Sequence, residues 1–169
     1  GVVGFDAWLH TAEEIDTLEQ HLRGSAITLR AVGNLVDRVW TDQPAPPRGK
    51  ISVYPAELAG ETQAQKRAMI AQGLRKAGQK STVLTLPDSI AWVLNIRGSD
   101  IPKNPVPHCF AILHDTGALS LFVDSQKLDQ PTLTHLGPEV TLCPPSAFEP
   151  ALRSLSGPVR VDRATAPLQ

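Results

Sequence analysis

The sequence has few of the residues that mark disulfide-stabilised, zinc-binding or aromatic-rich proteins. Among its 169 residues there are two cysteines, Cys109 and Cys143, and aromatic side chains make up only 5%. Both cysteines lie in apolar, strand-like stretches, and no cysteine and histidine cluster has the spacing of a zinc finger. We therefore predict buried free thiols without a disulfide, and no structural zinc.

A large charge of one sign is missing as well. The chain has 16 lysine and arginine residues against 17 aspartate and glutamate residues, which leaves a formal net charge of -1. Such a balance offers no electropositive surface for nucleic acid or anionic lipid. We therefore expect neither nucleic acid nor a membrane surface among the partners.

Long apolar runs are also absent. The most continuous one, residues 90–96, falls far short of the roughly 20 residues that span a bilayer. The chain begins with Gly1 and shows no charged and then apolar leader, which is typical of a segment from a longer polypeptide. We expect a soluble protein in the cytoplasm.

Signals for helices and strands alternate along the chain. Two capping boxes predict helix starts, because a threonine precedes a glutamate or glutamine by three residues: Thr11 with Glu14, and Thr62 with Gln65. The turn sequence of residues 115–117 separates two apolar runs and predicts a β-hairpin. These signals indicate a mixed α/β architecture with an antiparallel hairpin inside the sheet.

Three further predictions concern helices in the second half of the chain. Asp88 is expected to cap a short helix over residues 89–95, and Ser146 with Glu149 to cap a helix near the carboxyl end. Trp92 lies in the almost entirely apolar helix 89–95, which predicts that its side chain belongs to the core.

A proline-rich stretch interrupts these elements. Residues 41–50 contain three prolines and one glycine, a composition that supports neither a long helix nor a long strand. We predict a linker at 41–50 that separates an incomplete first domain, residues 1–40, from a second domain at 51–163. Residues 164–169 are predicted to form a tail.

Seven short segments resemble, in order and spacing, the three-domain form of Xaa-Pro aminopeptidase. They are residues 34–40, 41–42 with the prolines that follow, 59–61, 90–95, 97–102, 122–124 and 127–128. The resemblance implies that residues 1–40 end one creatinase-like N-terminal domain and that 51–163 form a second. Such domains are similar to a ribonuclease H-like layer, so the implied fold is a mixed β-sheet flanked by helices. The tail would run toward an absent pita-bread catalytic domain.

The same resemblance implies a function for the parent chain and a role for this segment. The parent would be a metallopeptidase, an aminopeptidase P, that releases the residue before proline and binds two divalent metals, often manganese. This segment would be non-catalytic and inactive alone, would help to form a homodimer, and would shape the access of peptide substrates. Neither a catalytic residue nor a metal ligand is carried over to it.

Five residues repeat the order of the family's metal ligands: Asp88, Asp100, His108, Glu139 and Glu149. We interpret the match as accidental, because Asp88 and Glu149 are predicted helix caps and Asp100 lies in a proline-flanked loop. No metal is expected in this segment.

The loop that follows Asn95 concentrates charge, amide and glycine, and it contains the candidate site residues. Arg97, Asp100 and Asn104 could line the rim of the parent's active site. Alternatively, Arg97 and Asp100 pair with each other or with the backbone and only shape the turn. Trp40, at the domain boundary, and Trp8, before the first helix, are candidates for contacts between domains.

Two other functions remain open. The chain could be a stand-alone domain derived from this family that binds a peptide or metabolite in the loop after Asn95. It could also be a small hydrolase with a site around Asp100 and His108. The first predicts ligand affinity, and the second predicts turnover without any added domain.

Overall fold

A computed structural model describes residues 1–169 and divides them into two compact units. The first unit consists of Gly1–Pro46 and Asp162–Gln169, and the second of Pro47–Val161. The division at residue 46 lies inside the predicted linker, which has no helix or strand from residue 43 to residue 50. Residues 162–169 pack with the first unit, where the Leu168 N–H donates to the His10 carbonyl at 2.9 Å. That these residues run toward a catalytic domain stays a prediction.

The first unit contains two strands and two helices. They are β1 (Val2–Phe5), α1 (Ala12–His21), β2 (Thr28–Ala31) and α2 (Leu35–Val39). Strands β1 and β2 pair in parallel on either side of α1 in the chain. The first capping box is confirmed: the Glu14 N–H donates to the Thr11 hydroxyl at 3.2 Å, and the Thr11 N–H to the Glu14 carboxylate at 2.9 Å.

Helix α2 is an element that the sequence analysis did not predict. The Asn34 side chain caps it by accepting hydrogen bonds from the N–H groups of Val36 and Asp37 at 2.8 and 3.2 Å. The helix has only five residues, none of them buried. A helix this short with no buried face has no apolar periodicity that a sequence pattern could reveal.

The second unit has twelve regular elements. They are β3 (Ser52–Val53), α3 (Ala56–Ala59), α4 (Gln63–Lys76), β4 (Ser81–Leu84), α5 (Pro87–Leu94), β5 (Ile96–Arg97), β6 (Phe110–His114), β7 (Leu119–Phe122), α6 (Gln130–Leu136), β8 (Val140–Cys143), α7 (Phe148–Ser154) and β9 (Val159–Arg160). Short 3-10 turns lie at Ser125–Lys127 and Pro145–Ala147.

A five-stranded mixed sheet organises this unit in the order β8-β7-β6-β4-β9. Strand β6 runs antiparallel to both of its neighbours, while the outer strands β8 and β9 are parallel to β7 and β4. The hairpin between β6 and β7 is confirmed, and its turn places Gly117 at φ +93°, a conformation that favours glycine. Strands β3 and β5 form a separate antiparallel ladder.

Helices cover both faces of the sheet. On one face, α4, α5 and α6 bury Leu74, Leu94 and Leu136 in the main core. On the other, Phe148 at the start of α7 stacks on Phe110 at 4.5 Å between ring centroids and meets Phe122 edge-on. Side chains alternate between the faces along a strand, so neighbouring positions of β6 serve different layers. The predicted mixed sheet flanked by helices is confirmed.

The second capping box is confirmed as well, but the two other predicted caps are wrong. Gln65 and Thr62 exchange the expected hydrogen bonds at the start of α4. Helix α5 begins with Pro87, so Leu86 is its N-cap and the Asp88 side chain caps nothing. Proline suits the first helical position because that position needs no N–H donor.

The predicted cap at Ser146 fails for a similar reason. Pro145 begins a 3-10 turn, and α7 starts only at Phe148, without a side-chain cap. The Glu149 carboxylate pairs instead with Arg153 at 3.2 Å. The helix thus starts one residue later than the cap at Ser146 predicted, at Phe148, because Pro145 begins a separate 3-10 turn before it.

Two predictions about burial also need correction. The Trp92 side chain is 48% exposed and does not belong to the core, although Ile90, Ala91, Val93 and Leu94 of the same helix are buried. Trp92 faces away because it lies about 200° around the helix from Ile90. Both cysteines are free, but only Cys109 is buried, and Cys143 is half-buried.

None of the helices is long and apolar enough to cross a membrane.

Candidate functional site

The candidate loop begins where α5 ends in a left-handed residue. Asn95 has φ 49° and ψ 52°, a conformation that asparagine tolerates better than most residues. Its buried side chain accepts a hydrogen bond from the Lys66 ammonium at 2.7 Å and donates to the Glu61 carbonyl at 2.7 Å. These contacts fix the direction in which the chain enters β5 and the loop.

The loop is closed by its own backbone. The Gly98 N–H donates to the Pro105 carbonyl at 3.0 Å, and the Asn104 N–H donates to the Ile101 carbonyl at 3.2 Å. A Cβ atom at position 98 would lie 2.4 Å from the backbone nitrogen of Pro107. Gly98 is therefore required by the close approach of two backbone segments.

Asp100 is the buried centre of this region. Its side chain has no exposed surface, and the Lys127 ammonium lies 2.6 Å from one carboxylate oxygen. The same oxygen accepts the His108 N–H at 2.7 Å, and the other accepts the Gly49 N–H at 2.8 Å. One carboxylate thus joins three segments of the second unit to the loop.

The electrostatics of this cluster follow from burial and pairing. Burial by itself raises the pKa of Asp100, but the hydrogen bonds from Lys127, His108 and Gly49 outweigh it, so the pKa lies below its ordinary value. Burial raises the pKa of the neighbouring Cys109 thiol to about 12. The cluster therefore holds one stable carboxylate beside a thiol that stays protonated.

These contacts support the scaffold interpretation for Asp100. The carboxylate pairs with Lys127 and with backbone N–H groups, not with Arg97 as one interpretation proposed. Sequence reasoning missed Lys127, whose side chain is only 4% exposed. No local pattern marks this lysine as buried, because its partner is 27 residues away.

Arg97 and Asn104 are brought together, whereas Asp100 is not among their neighbours in the groove. The Arg97 guanidinium carbon lies 3.9 Å from the centroid of the Tyr54 ring, and the group also donates to the Ile96 carbonyl at 2.9 Å. Arg97 and Asn104 line a groove of about 220 Å³ whose other walls are Asp88, Ala91, Trp92, Pro105 and Val106. The rim role of Arg97 and Asn104 stays a prediction.

Trp92 is the residue of this groove that the sequence analysis assigned to the core instead. The buried Lys66 ammonium lies 4.3 Å from the centroid of its ring and also donates to the Trp92 carbonyl at 3.0 Å. This cation and π-system contact fixes the orientation of the exposed indole. Helical spacing places position 92 opposite position 90, but no sequence signal said which of the two is buried, because every residue from 90 to 94 is apolar.

The two domain-contact candidates lie in the first unit. Trp40 follows α2 and is 45% exposed, beside the exposed side chains of Leu35, Val36 and Val39. Trp8 is half-buried and lines a cavity of about 670 Å³ formed by residues of the first unit. A role of either tryptophan in contacts with another domain stays a prediction.

The chain gathers no donor set for the metals that the resemblance implies. No group of three or more histidine, cysteine, aspartate or glutamate side chains is positioned to hold a metal ion. Among the five residues in ligand order, Asp100 is neutralised by Lys127, and Glu149 pairs with Arg153. The residues present do not fit a dinuclear site, and we assign none to this chain.

Comparisons with known proteins identify the relatives of this fold. The creatinase/prolidase N-terminal domain matches residues 42–169. Over 157 residues the chain is 40% identical to a probable Xaa-Pro aminopeptidase P of Neosartorya fischeri. It is 41% identical over 157 residues to one of Coccidioides posadasii. Each match covers 92% of this chain and 24% of the relative, so the chain spans about a quarter of the length of these curated proteins.

A solved structure shows the same architecture. It is the X-prolyl aminopeptidase of Caenorhabditis elegans, described as a cytosolic enzyme with a di-nuclear active site. The similarity has a TM-score of 0.84 at 28% identity and covers 98% of this chain and 29% of that protein. The resemblance inferred from short segments of sequence is thereby confirmed, and the chain belongs to the creatinase/prolidase N-terminal domain family.

Proposed function

We propose that this chain is the non-catalytic N-terminal region of a metal-dependent Xaa-Pro aminopeptidase. The observation that carries the proposal is the similarity of about 40% to relatives that are named Xaa-Pro aminopeptidases, of which the matched region makes up 24%. In this role the region shapes the entrance to the parent's active site and helps two parent chains to form a homodimer. Its partners are the pita-bread catalytic domain and, through the parent, a peptide substrate.

The rigidity of the candidate loop supports a role in shaping an entrance. Asp100 anchors the loop from inside, and Gly98 allows its two backbone segments to approach closely. A wall that selects substrates by size must keep its shape, and buried hydrogen bonds provide that rigidity. Arg97, Asn104 and Trp92 would be the groups presented to the substrate.

In our proposal, peptide hydrolysis takes place in a part of the parent that lies outside this chain. Two divalent metals, manganese by family resemblance, would supply a metal-activated hydroxide for peptide hydrolysis. Because the present residues offer no site for these metals, we assign no step of the reaction to them. We place the parent in the cytoplasm, in line with the description of the nematode relative as cytosolic.

The apolar surface of the first unit supports an interface in the parent. Val39 is 77% exposed and Leu35 61% exposed on α2, and Val2 and Val3 of β1 are 58% and 50% exposed. Leu35 and Val39 lie one helical turn apart on the same side of α2, and neighbouring exposed apolar side chains are typical of contact sites. A second copy of the parent, or another of its domains, would cover them.

The first test is whether the 169-residue chain is inactive by itself. We expect no hydrolysis of an Xaa-Pro dipeptide or tripeptide with added manganese, and no stoichiometric bound metal. Metal-dependent turnover by the purified chain would overturn the proposal, because it would require a catalytic site among these residues.

A second test measures access in the full-length parent. Replacing Trp92 with alanine should open the entrance and raise the kcat/KM for a longer peptide relative to a tripeptide. Met69→Ala is the matched control, since Met69 is 51% exposed but does not line the groove. An unchanged ratio for Trp92→Ala would contradict a role of this wall in access.

A further inference from the structure

The groove between α5 and the candidate loop contains two opposite charges that do not neutralise each other. Asp88 and Arg97 both line it, yet they form no ion pair with one another or with any other side chain. Asp100, in the same loop, is by contrast paired with Lys127. A cation and an anion left unpaired in one small groove suit a ligand that carries both charges.

The other polar side chains of the groove form no hydrogen bonds within the chain either. The Asn104 side-chain amide and the Trp92 indole N–H make no hydrogen bond within the chain, and the Asp88 carboxylate accepts none. Arg97 uses its guanidinium for one hydrogen bond, to the Ile96 carbonyl. Since a guanidinium has five N–H donors, most of them remain for a carboxylate.

The size and the lining of the groove limit the class of ligand. Its volume of about 220 Å³ is equivalent to about seven water molecules and lies below the range of pockets for drug-sized ligands. Ala91 and Val106, 3% and 4% exposed, line it with buried apolar surface, and Pro105 adds an exposed apolar side chain. A ligand of dipeptide size with one apolar side chain matches these dimensions.

The Arg97 and Trp92 side chains and the backbone of Asn104 are held in place before any ligand arrives. Arg97 lies on the Tyr54 ring at 3.9 Å, and Trp92 lies beside the Lys66 ammonium at 4.3 Å. Asn104 sits in a loop that is closed by backbone hydrogen bonds and anchored through Asp100. Groups that are already ordered cost little conformational entropy when a ligand binds.

We propose that this groove is a binding site for zwitterionic dipeptides. The carboxylate of the dipeptide pairs with Arg97 and Asn104, its ammonium group pairs with Asp88, and its apolar side chain packs on Trp92. The site does not depend on the proposed role in the parent enzyme, because binding is a property of the second unit alone. Failure of one proposal therefore leaves the other intact.

Alanyl-leucine is the probe for the test, titrated into the ¹⁵N-labelled 169-residue chain and followed by NMR. We expect saturable shifts of the Trp92 indole N–H and the Asn104 side-chain amide. N-acetyl-alanyl-leucine and alanyl-leucine amide, which each lack one charge, should bind at least about tenfold more weakly. Absence of shifts at about 20 mM dipeptide, or equal binding of the capped and uncapped dipeptides, would overturn the proposal.

A matched pair of variants tests the role of the cation. Arg97→Met keeps an apolar stem against Tyr54 and should weaken binding at least about tenfold, whereas Lys103→Met removes a cation from the same loop outside the groove and should leave binding unchanged. An equal loss in both variants would show a nonspecific charge effect and reject the site. Asp88→Asn, at an exposed position, provides a second variant that should fold normally and bind more weakly.

Discussion

At the scale of single residues, Asp100 shows how one buried charge organises a loop. Its carboxylate lost its hydration on burial, and the Lys127 ammonium at 2.6 Å together with two backbone N–H groups replaces it. Such a buried ion pair stabilises the fold little more than an apolar pair of the same size would. Loss of one partner, however, leaves an uncompensated buried charge. The cluster is therefore sensitive to single substitutions.

We predict that Asp100→Ala lowers the free energy of unfolding by about 3–5 kcal/mol, because Lys127 would remain buried without a counter-charge. Urea denaturation of the purified chain measures the change. Asp42→Ala, at an exposed position with no ion pair, is the control and should change it by less than about 0.5 kcal/mol. A loss below about 1 kcal/mol for Asp100→Ala would show that the pair does not support the fold.

The lowered pKa of Asp100 predicts how this contribution depends on pH. A carboxyl that is more acidic in the folded state stabilises the fold fully above its unfolded pKa of about 3.9. The contribution decreases as the pH falls through the folded pKa, because the carboxylate then takes up a proton. We expect the stability difference between the original chain and Asp100→Asn to be constant from about pH 7 to pH 5 and to shrink below about pH 4.

Urea denaturation across this pH range provides the measurement. The control is Asp42→Asn, for which the difference should stay small at every pH. A difference for Asp100→Asn that grows as the pH falls would contradict the direction of the pKa shift.

Residue-scale reasoning from the sequence succeeded where a side chain acts within its own turn. Thr11 and Thr62 cap their helices as predicted, because the partner is only three residues away. Asp88 and Ser146 do not, since a nearby proline decides where each helix starts. A cap residue is thus predicted well only when the first helical turn contains no competing start signal.

At the scale of elements, the candidate loop depends on glycine as much as on charge. A Cβ atom at Gly98 would meet the backbone of Pro107 and Val106 at 2.4 to 2.6 Å. Backbone atoms on both sides are held by hydrogen bonds and cannot move aside cheaply. Gly73, in the interior of α4, has no atom within 4 Å of the corresponding position.

We predict that alanine substitutions at these two glycines change the free energy of unfolding in opposite directions. Gly98→Ala should lower the free energy of unfolding by about 1–3 kcal/mol through steric overlap, and Gly73→Ala should raise it by about 0.5–1 kcal/mol because alanine favours the helix. Thermal or urea unfolding of the two variants decides the matter. Equal effects would mean that the loop relaxes around the new methyl group.

Helix α5 illustrates why an apolar sequence hides the direction in which its side chains point. Every residue from Ile90 to Leu94 is apolar, so hydrophobicity alone does not distinguish the core face from the exposed one. The tertiary packing determines which face is buried: Ile90 and Leu94 pack in the core, and Trp92 remains exposed at the groove. The helix could therefore be predicted from the sequence, whereas the exposure of Trp92 at the groove could not.

At the scale of the whole molecule, the second unit contains the main core by itself. The buried cluster extends from Ile51 to Val140 and includes the faces of α4, α5 and α6 that cover the sheet. All five strands of that sheet also lie between residues 47 and 161. A unit with its own sheet and core should fold without the remaining residues.

We predict that a chain of residues 47–161 unfolds cooperatively and shows the dispersed NMR spectrum of a folded domain. Differential scanning calorimetry of this chain, with the 169-residue chain for comparison, measures the transition. A gradual transition with strong binding of a hydrophobic dye would indicate a molten state and would mean that the second unit needs the first.

The sequence by itself determined the features that depend on neighbours within a few residues. These include both capping boxes, the hairpin turn at Gly117, the irregular linker and the short segments that carry the family resemblance. In each case the physical cause lies within a few residues: a side chain bonds to nearby backbone, or a glycine adopts a positive φ.

Only the tertiary structure decided what the candidate loop can do. Lys127 neutralises Asp100 across 27 residues, and Lys66 fixes the Trp92 indole across 26. Arg97 keeps its charge available because it stacks on Tyr54 instead of pairing with Asp100. Contacts of this kind arise when separate elements pack around a common core, so no local pattern along the chain contains them.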